Sequence, residues 1–174
     1  MMKEKDKMFE NDKYLILTHG IPGSGKSTFI SNKFGADPEV NVICPDDIRE
    51  EFKSEKEKLG DKFEYKVWKT VDERLKESLK KNKTTIIDAT FISRKSILKQ
   101  YKVLQEIDSS IQFVIIDFSM LPLEYCLNNN RIRFENGSRF VPEDVIKNMY
   151  KRIQKTKLLE FESMTIQYNK FGEQ

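Results

Sequence analysis

The sequence predicts an α/β fold in three layers, a mainly parallel sheet covered by helices on both faces. Three observations point there. Apolar runs of strand length alternate with helical patterns along the chain. The first run leads directly into the Gly-rich segment Gly20-Ile21-Pro22-Gly23-Ser24-Gly25-Lys26-Ser27. The later runs end in acidic residues, Asp46-Asp47, Asp88 and Asp117, where an open α/β sheet binds its ligands.

Residues 1 to 12 are densely charged and read as a flexible N-terminal segment, leaving 13–174 as a single domain. Tyr14 to Thr18 is apolar and partly β-branched, as a buried parallel strand should be. The segment after it fits G-x-x-x-x-G-K-[ST] with Thr28 following, a complete phosphate-binding loop. Glycine lets such a backbone approach an anion closely, and its N–H groups converge at the positive end of the next helix. Lys26 can reach β and γ phosphates, and the Ser27 hydroxyl can hold a Mg²⁺ bound to them. Phe29, Ile30 and Phe34 then continue a helix until Gly35. Strand, loop and helix together predict the fold of P-loop NTPases.

A second strand at 40–44 is followed by Pro45-Asp46-Asp47-Ile48-Arg49. Asp is favoured in a first helical turn, so capping explains one aspartate and leaves the other to orient an attacking hydroxyl. Arg49 shares a helical face with Asp46 and suits an anionic substrate group. Lys53 to Lys62 reads as a solvated charge run, and Asp61 to Lys81 as the longest helix. Its buried stripe is Phe63, Val67, Val71, Leu75 and Leu79. The third strand, 84–88, delivers Asp88 and Thr90, the carboxylate positioned for a Mg²⁺ or an acceptor hydroxyl. Ser93 caps a helix whose inner face is Ile97, Tyr101 and Leu104, and 111–117 is the fourth strand.

Pro122 opens a helix through about Phe134 that carries Arg131 and Arg133. With Arg139 they mark residues 130–141 as a lid that closes over a triphosphate and neutralises charge during transfer. Pro142 begins the last helix, with Val145, Met149 and Ile153 on its inner face, and 164–168 reads as a short edge strand. Most of the aromatic residues belong to the apolar stripes. Phe52, Tyr65, Phe91 and Phe140 are the candidates for stacking a base. His19 reads as a packing or hydrogen-bonding residue rather than a catalyst.

Composition narrows the class. A hydrophobic fraction of 38% and a charged fraction of 34% suit a soluble globular chain, and no run is long enough to span a bilayer. The start lacks the apolar core of a secretion signal, so a cytoplasmic location is expected. Cys44 and Cys126 lack metal-ligand spacing and are expected to be free thiols. The net charge of +3 permits nucleic-acid binding without requiring it.

The phosphate loop, Asp46-Asp47-Ile48-Arg49, Ile87-Asp88-Ala89-Thr90, the arginine lid and the stretch from Arg139 to Tyr150 together resemble a P-loop kinase of the 5′-hydroxyl polynucleotide kinase type. The likeness extends from about Tyr14 to Ile153. It implies ATP and Mg²⁺ as cofactors and a DNA or RNA 5′-hydroxyl end as acceptor. It also implies Asp46 as general base, with Arg49 on the phosphate following the acceptor nucleotide. Asp88, Asp47 and Thr90 would lie on the acceptor side, Lys26 and Ser27 on the phosphates and Mg²⁺, Arg133 in the lid, and Arg131 and Arg139 beside the nucleotide. The chain departs from the pattern at Asn129-Asn130, where an Arg-Asn pair is usual. The resemblance implies no membrane partner. A second copy of the chain and a separate ligase or phosphatase are compatible with it, and 3′-phosphate removal is not expected. Small-molecule kinases of related fold and a non-catalytic ATP-binding regulator are the competing readings.

Overall fold

The computed structural model describes residues 13–137 and 139–158 and the backbone of 164–167, so the expectation for 1–12 lies outside the described residues. Five parallel strands form one sheet: β1 (Tyr14–His19), β2 (Val40–Ile43), β3 (Thr84–Ile87), β4 (Gln112–Asp117) and β5 (Met164–Gln167), in the order β2-β3-β1-β4-β5. β1 is central, with Leu17 opposite Ile87 of β3 and Ile115 of β4. The edge strand expected at 164–168 is there, with Thr165 in register with Ile115.

Period-two alternation divides the core. Leu15 and Leu17 face one layer, with Ile87, Phe113 and Ile115. Tyr14 and Ile16 face the other, with Ile86, Val114 and Ile116. The helices are α1 (Lys26–Phe34), α2 (Pro45–Glu51), the single turn α3 (Lys56–Leu59), α4 (Lys62–Lys80), α5 (Arg94–Ile107), α6 (Leu123–Glu135) and α7 (Glu143–Ile153). The four-residue stripe of α4 joins Ile97 and Leu104 of α5 and Ile48 of α2 against the first face. Ile30 and Phe34 of α1, Cys126 and Leu127 of α6, and Ile146 and Ile153 of α7 cover the second. Ser93 caps α5 through its hydroxyl, which accepts from the Ser96 N–H at 3.3 Å.

Two readings change. Pro122 and Pro142 stand in extended backbone one residue before their helices, so each sets the entry angle rather than filling the first turn. The buried stripe of α7 passes through Ile146, whereas Val145 turns toward a cleft. The charge run at 53–62 is exposed as expected, yet it contains a short 3₁₀ turn (Lys53–Glu55) and α3.

Candidate active site

The turn from β1 into α1 is held by backbone geometry. Gly23 (φ 81°) and Gly25 (φ 88°) take left-handed conformations that side chains disfavour. A Cβ on Gly23 would sit 2.1 Å from the Cys126 carbonyl oxygen, so α6 packs directly on the loop. Asn129 of α6 fastens the contact by donating from Nδ2 to the Gly23 carbonyl at 2.9 Å.

Lys26 is 8% exposed and its Nζ donates to the Ile21 carbonyl at 2.8 Å and the Ser24 hydroxyl at 3.4 Å. Burial pulls its pKa down to about 8 against the opposing pull of Asp88. A buried ammonium leaning on one carbonyl and one hydroxyl oxygen is a cation positioned for an anion. The left-handed glycines, the N–H groups of the helix start and this ammonium therefore fit a nucleotide's phosphates.

A cleft of about 650 Å³ opens on one side of the loop, lined by Ser24 to Phe29, Asn32, Tyr125 and Arg133 among others. A second, of about 500 Å³, lies on the other side. Lys26, Ser27 and Arg133 line both, which marks where a group would pass from one to the other. The lining of the second cleft mixes charged side chains, Asp46, Arg49, Glu64, Asp88 and Arg139, with apolar ones, among them Trp68, Phe140, Val141, Val145 and Met149.

The charged side chains form a network. Arg49 donates from Nε and Nη2 to the two oxygens of Glu64, both at 2.8 Å, in a fork-to-fork pair. Its Nη1 donates to Asp46 Oδ1 at 2.7 Å, and Arg139 Nη1 reaches the same oxygen at 3.0 Å. The Arg49 hydrogen bonds hold the Glu64 carboxyl below its ordinary range.

The segment after β3 is stapled to the end of β1 by three bonds. The Gly20 N–H donates to the Thr90 carbonyl at 3.1 Å and the Thr18 hydroxyl to the Ala89 carbonyl at 2.8 Å. His19 Nδ1 donates to the Phe91 carbonyl at 2.7 Å, and burial lowers the His19 pKa, favouring the neutral ring. His19 is thus the packing residue the sequence suggests, and it keeps Asp88 and Thr90 at the cleft.

Several predicted site residues are not gathered here. Asp47 is exposed and lines neither cleft, because Asp46 and Asp47 are about 100° apart around α2. Arg131 lies two residues from Arg133, on the opposite face of α6, and pairs with Glu143 instead of reaching the nucleotide side. Arg139 lines the second cleft with Asp46, not the first. Among the aromatic candidates, Phe91 is buried against Trp68, and Phe52 lies beneath the Lys66 ammonium at 4.0 Å. Tyr65 is exposed outside both clefts. Phe140 alone of the four lines the second cleft, its ring 5.1 Å from that of Phe134.

Sequence reasoning missed Asn130. It is fully buried, and its side chain both donates to the Val141 carbonyl at 2.8 Å and accepts from the Val141 N–H at 3.3 Å. That clamp fixes the far end of the arginine loop onto α6. The paired bonds of a buried amide to the N–H and C=O of one residue cannot be read from an Asn-Asn-Asn run.

No helix among the described residues is long and apolar enough to cross a membrane. Among the same residues, no three His, Cys, Asp or Glu gather to hold a metal ion. Ser27, exposed at the start of α1 and lining both clefts, would supply one oxygen to a Mg²⁺ held by the phosphates.

The strand, phosphate loop and helix, with a second functional cleft at the carboxyl ends of parallel strands, define a P-loop domain of kinase type. The sequence pattern of the AAA domain family matches residues 15–156, and the chain belongs to that family. A comparison with curated proteins gave no significant match. Among solved structures, a chain of the Pnkp1/Rnl/Hen1 RNA repair complex aligns at a TM-score of 0.72 and 26% identity. The alignment covers 91% of this chain and 49% of that one, so this chain spans about half its length. A gluconokinase from Sinorhizobium meliloti aligns over 91% of this chain and 83% of its own, at 16% identity and a TM-score of 0.54. A Chloroflexus aurantiacus protein provisionally named a kinase aligns over 90% and 84%, at 14% identity and a TM-score of 0.66. These last two likenesses concern the fold.

Proposed function

We propose that the chain phosphorylates 5′-hydroxyl ends of DNA or RNA at the expense of ATP. The observation that carries this reading is the mixed charged and apolar cleft across Lys26 from the donor side. A nucleotide end has a flat apolar base on one side and a charged phosphate on the other. The cleft's lining offers both kinds of surface, apolar side chains such as Trp68, Phe140 and Met149 and the charged Asp46, Arg49 and Asp88, which suits that shape. A polyol such as gluconate has no apolar face to match it. The likeness to a component of an RNA repair complex supports the same choice.

In this mechanism the loop N–H groups and Lys26 hold the donor phosphates, and Ser27 supplies a ligand to Mg²⁺. Bound there, the metal ion neutralises charge on the phosphates. Asp46 accepts the proton of the attacking hydroxyl and orients it in line; Asp88 sits beside the same path. Arg133, which borders both clefts, stabilises charge on the group in flight. Arg49, held in its fork by Glu64, stands at the acceptor strand, and Thr90 lines the cleft beside Asp88. The segment 130–141, the end of α6 and the residues after it, is clamped at Val141 and acts as the lid over this junction.

The test is transfer of labelled γ-phosphate to a 5′-hydroxyl oligonucleotide, run beside gluconate, mononucleosides and water. Transfer to the oligonucleotide well above the others is expected. Transfer to gluconate alone, or hydrolysis at one rate whatever hydroxyl is supplied, would reject the reading.

A further inference from the structure

The segment after β3 brings Asp88 and Thr90 to the second cleft, and its backbone is strained at the next residue. Phe91 has φ 38°, a left-handed conformation that a bulky side chain rarely adopts, and it is buried. Strain of this kind persists only where the surroundings enforce it, and it gathers at functional sites.

Hydrogen bonds enforce it here. The carbonyls of Ala89, Thr90, Phe91 and Ile92 each accept one, from the Thr18 hydroxyl, the Gly20 N–H, His19 Nδ1 and the Thr156 hydroxyl in turn. Thr18, His19 and Gly20 end β1 and open the phosphate loop, so three of these bonds tie the acceptor-side segment directly to the donor-side cradle. The bond to the strained residue is that of His19, at 2.7 Å, between residues 1% and 4% exposed. A carbonyl only accepts, so the neutral ring carries its proton on Nδ1. The Phe91 ring is fixed as well, edge-on to Trp68 at 6.2 Å, and Trp68 lines the same cleft.

On the proposed kinase reading, we infer that His19, with Thr18 beside it, is a positioning residue that keeps the segment 88–91 in its strained form and so sets Asp88 and Thr90 against the path of the transferred group. His19 itself lines neither cleft. Without its N–H, the buried Phe91 carbonyl loses its partner and the left-handed backbone loses its restraint. The segment then relaxes toward an ordinary conformation and takes Asp88 with it. The glycines and N–H groups of the phosphate loop stay in place, so the role belongs to the transfer step and not to nucleotide binding.

Three variants test this. His19→Leu keeps a buried apolar side chain and removes the donor; His19→Asn keeps an N–H near the position of Nδ1; Thr18→Val removes the neighbouring bond to Ala89. Each is measured for single-turnover γ-phosphate transfer to a 5′-hydroxyl oligonucleotide, for ATP affinity, and for the emission of Trp68, the one tryptophan of the chain. His19→Leu should slow transfer by up to about a hundredfold, as a displacement of about 1 Å can. Its ATP affinity should hold while its Trp68 emission shifts. His19→Asn should regain most of the rate and the wild-type emission, and Thr18→Val should show a smaller loss of the same kind. An undiminished rate in His19→Leu, a loss matched by weaker ATP binding, or His19→Asn no better than His19→Leu overturns the role. Where His19→Leu does not fold, Thr18→Val decides, a selective rate loss supporting the role and an undiminished rate overturning it. A wild type that transfers to no acceptor rejects the kinase reading; unshifted Trp68 emission in folded His19→Leu rejects the restraint on the segment separately.

Discussion

The two clefts beside Lys26 are built in opposite ways. The donor side comes mostly from one continuous stretch, Gly23 to Phe29, in which backbone N–H groups and left-handed glycines do the positioning. The acceptor side is assembled from α2, α4, the end of β3, the lid and α7, and its charged residues are held by side-chain ion pairs. A backbone cradle has a shape that hardly depends on what it holds. A set of guanidiniums and carboxylates has a geometry that changes whenever one member gains a proton or a ligand. On the proposed function, nucleotide binding would fall to the fixed half of the site and acceptor choice to the adjustable half.

The comparison is tested most sharply at Asp46. Asp46→Asn keeps the shape and removes the proton acceptor, and is expected to lower kcat by about 10²–10⁴ while nucleotide affinity holds. Single-turnover transfer with a parallel ATP-binding titration would check it, and an unchanged rate would show that the acceptor side does not supply the base. Gly23→Ala should do the reverse. It forces a side chain into a left-handed backbone and against the Cys126 carbonyl, costing about 3 kcal/mol or more of stability together with nucleotide binding. Denaturant melts with and without ATP would measure both losses.

The smallest effect concerns protons on the donor side. Lys26 in the folded protein has a pKa of about 8, below the ordinary lysine value near 10.5. The unfolded chain therefore binds more protons between those values, and this residue makes stability rise with pH across that window. Phosphates would restore the ammonium, so nucleotide binding near pH 8–9 should take up a fraction of a proton. Isothermal titration in buffers of different ionisation enthalpy should show this uptake in wild type and lose it in Lys26→Met.

Legibility follows the same division. Glycine spacing with a following lysine is a local pattern with one strong physical use, so the loop, its strand and its helix can be read directly. Asp46 and Asp88 can be read too, since each lies just beyond a strand on the ligand-binding edge of a parallel sheet. Arg131 and Arg139, expected beside the nucleotide, pair with Glu143 and Asp46 in the structure. Two arginines on one helix and one on a loop look alike in a sequence, and their directions depend on which face of α6 meets the phosphate loop.

The chain alone determined the order of strands and helices, the two-faced core and the phosphate cradle, because periodicity and backbone freedom act over a few residues. Only the tertiary structure decided that Glu64 holds Arg49, that Arg139 leans on Asp46, and that Asn130 clamps Val141. Those pairs join residues 11 to 93 positions apart. Nothing in their local sequence distinguishes them from other polar residues; folding brings the partners within hydrogen-bond reach.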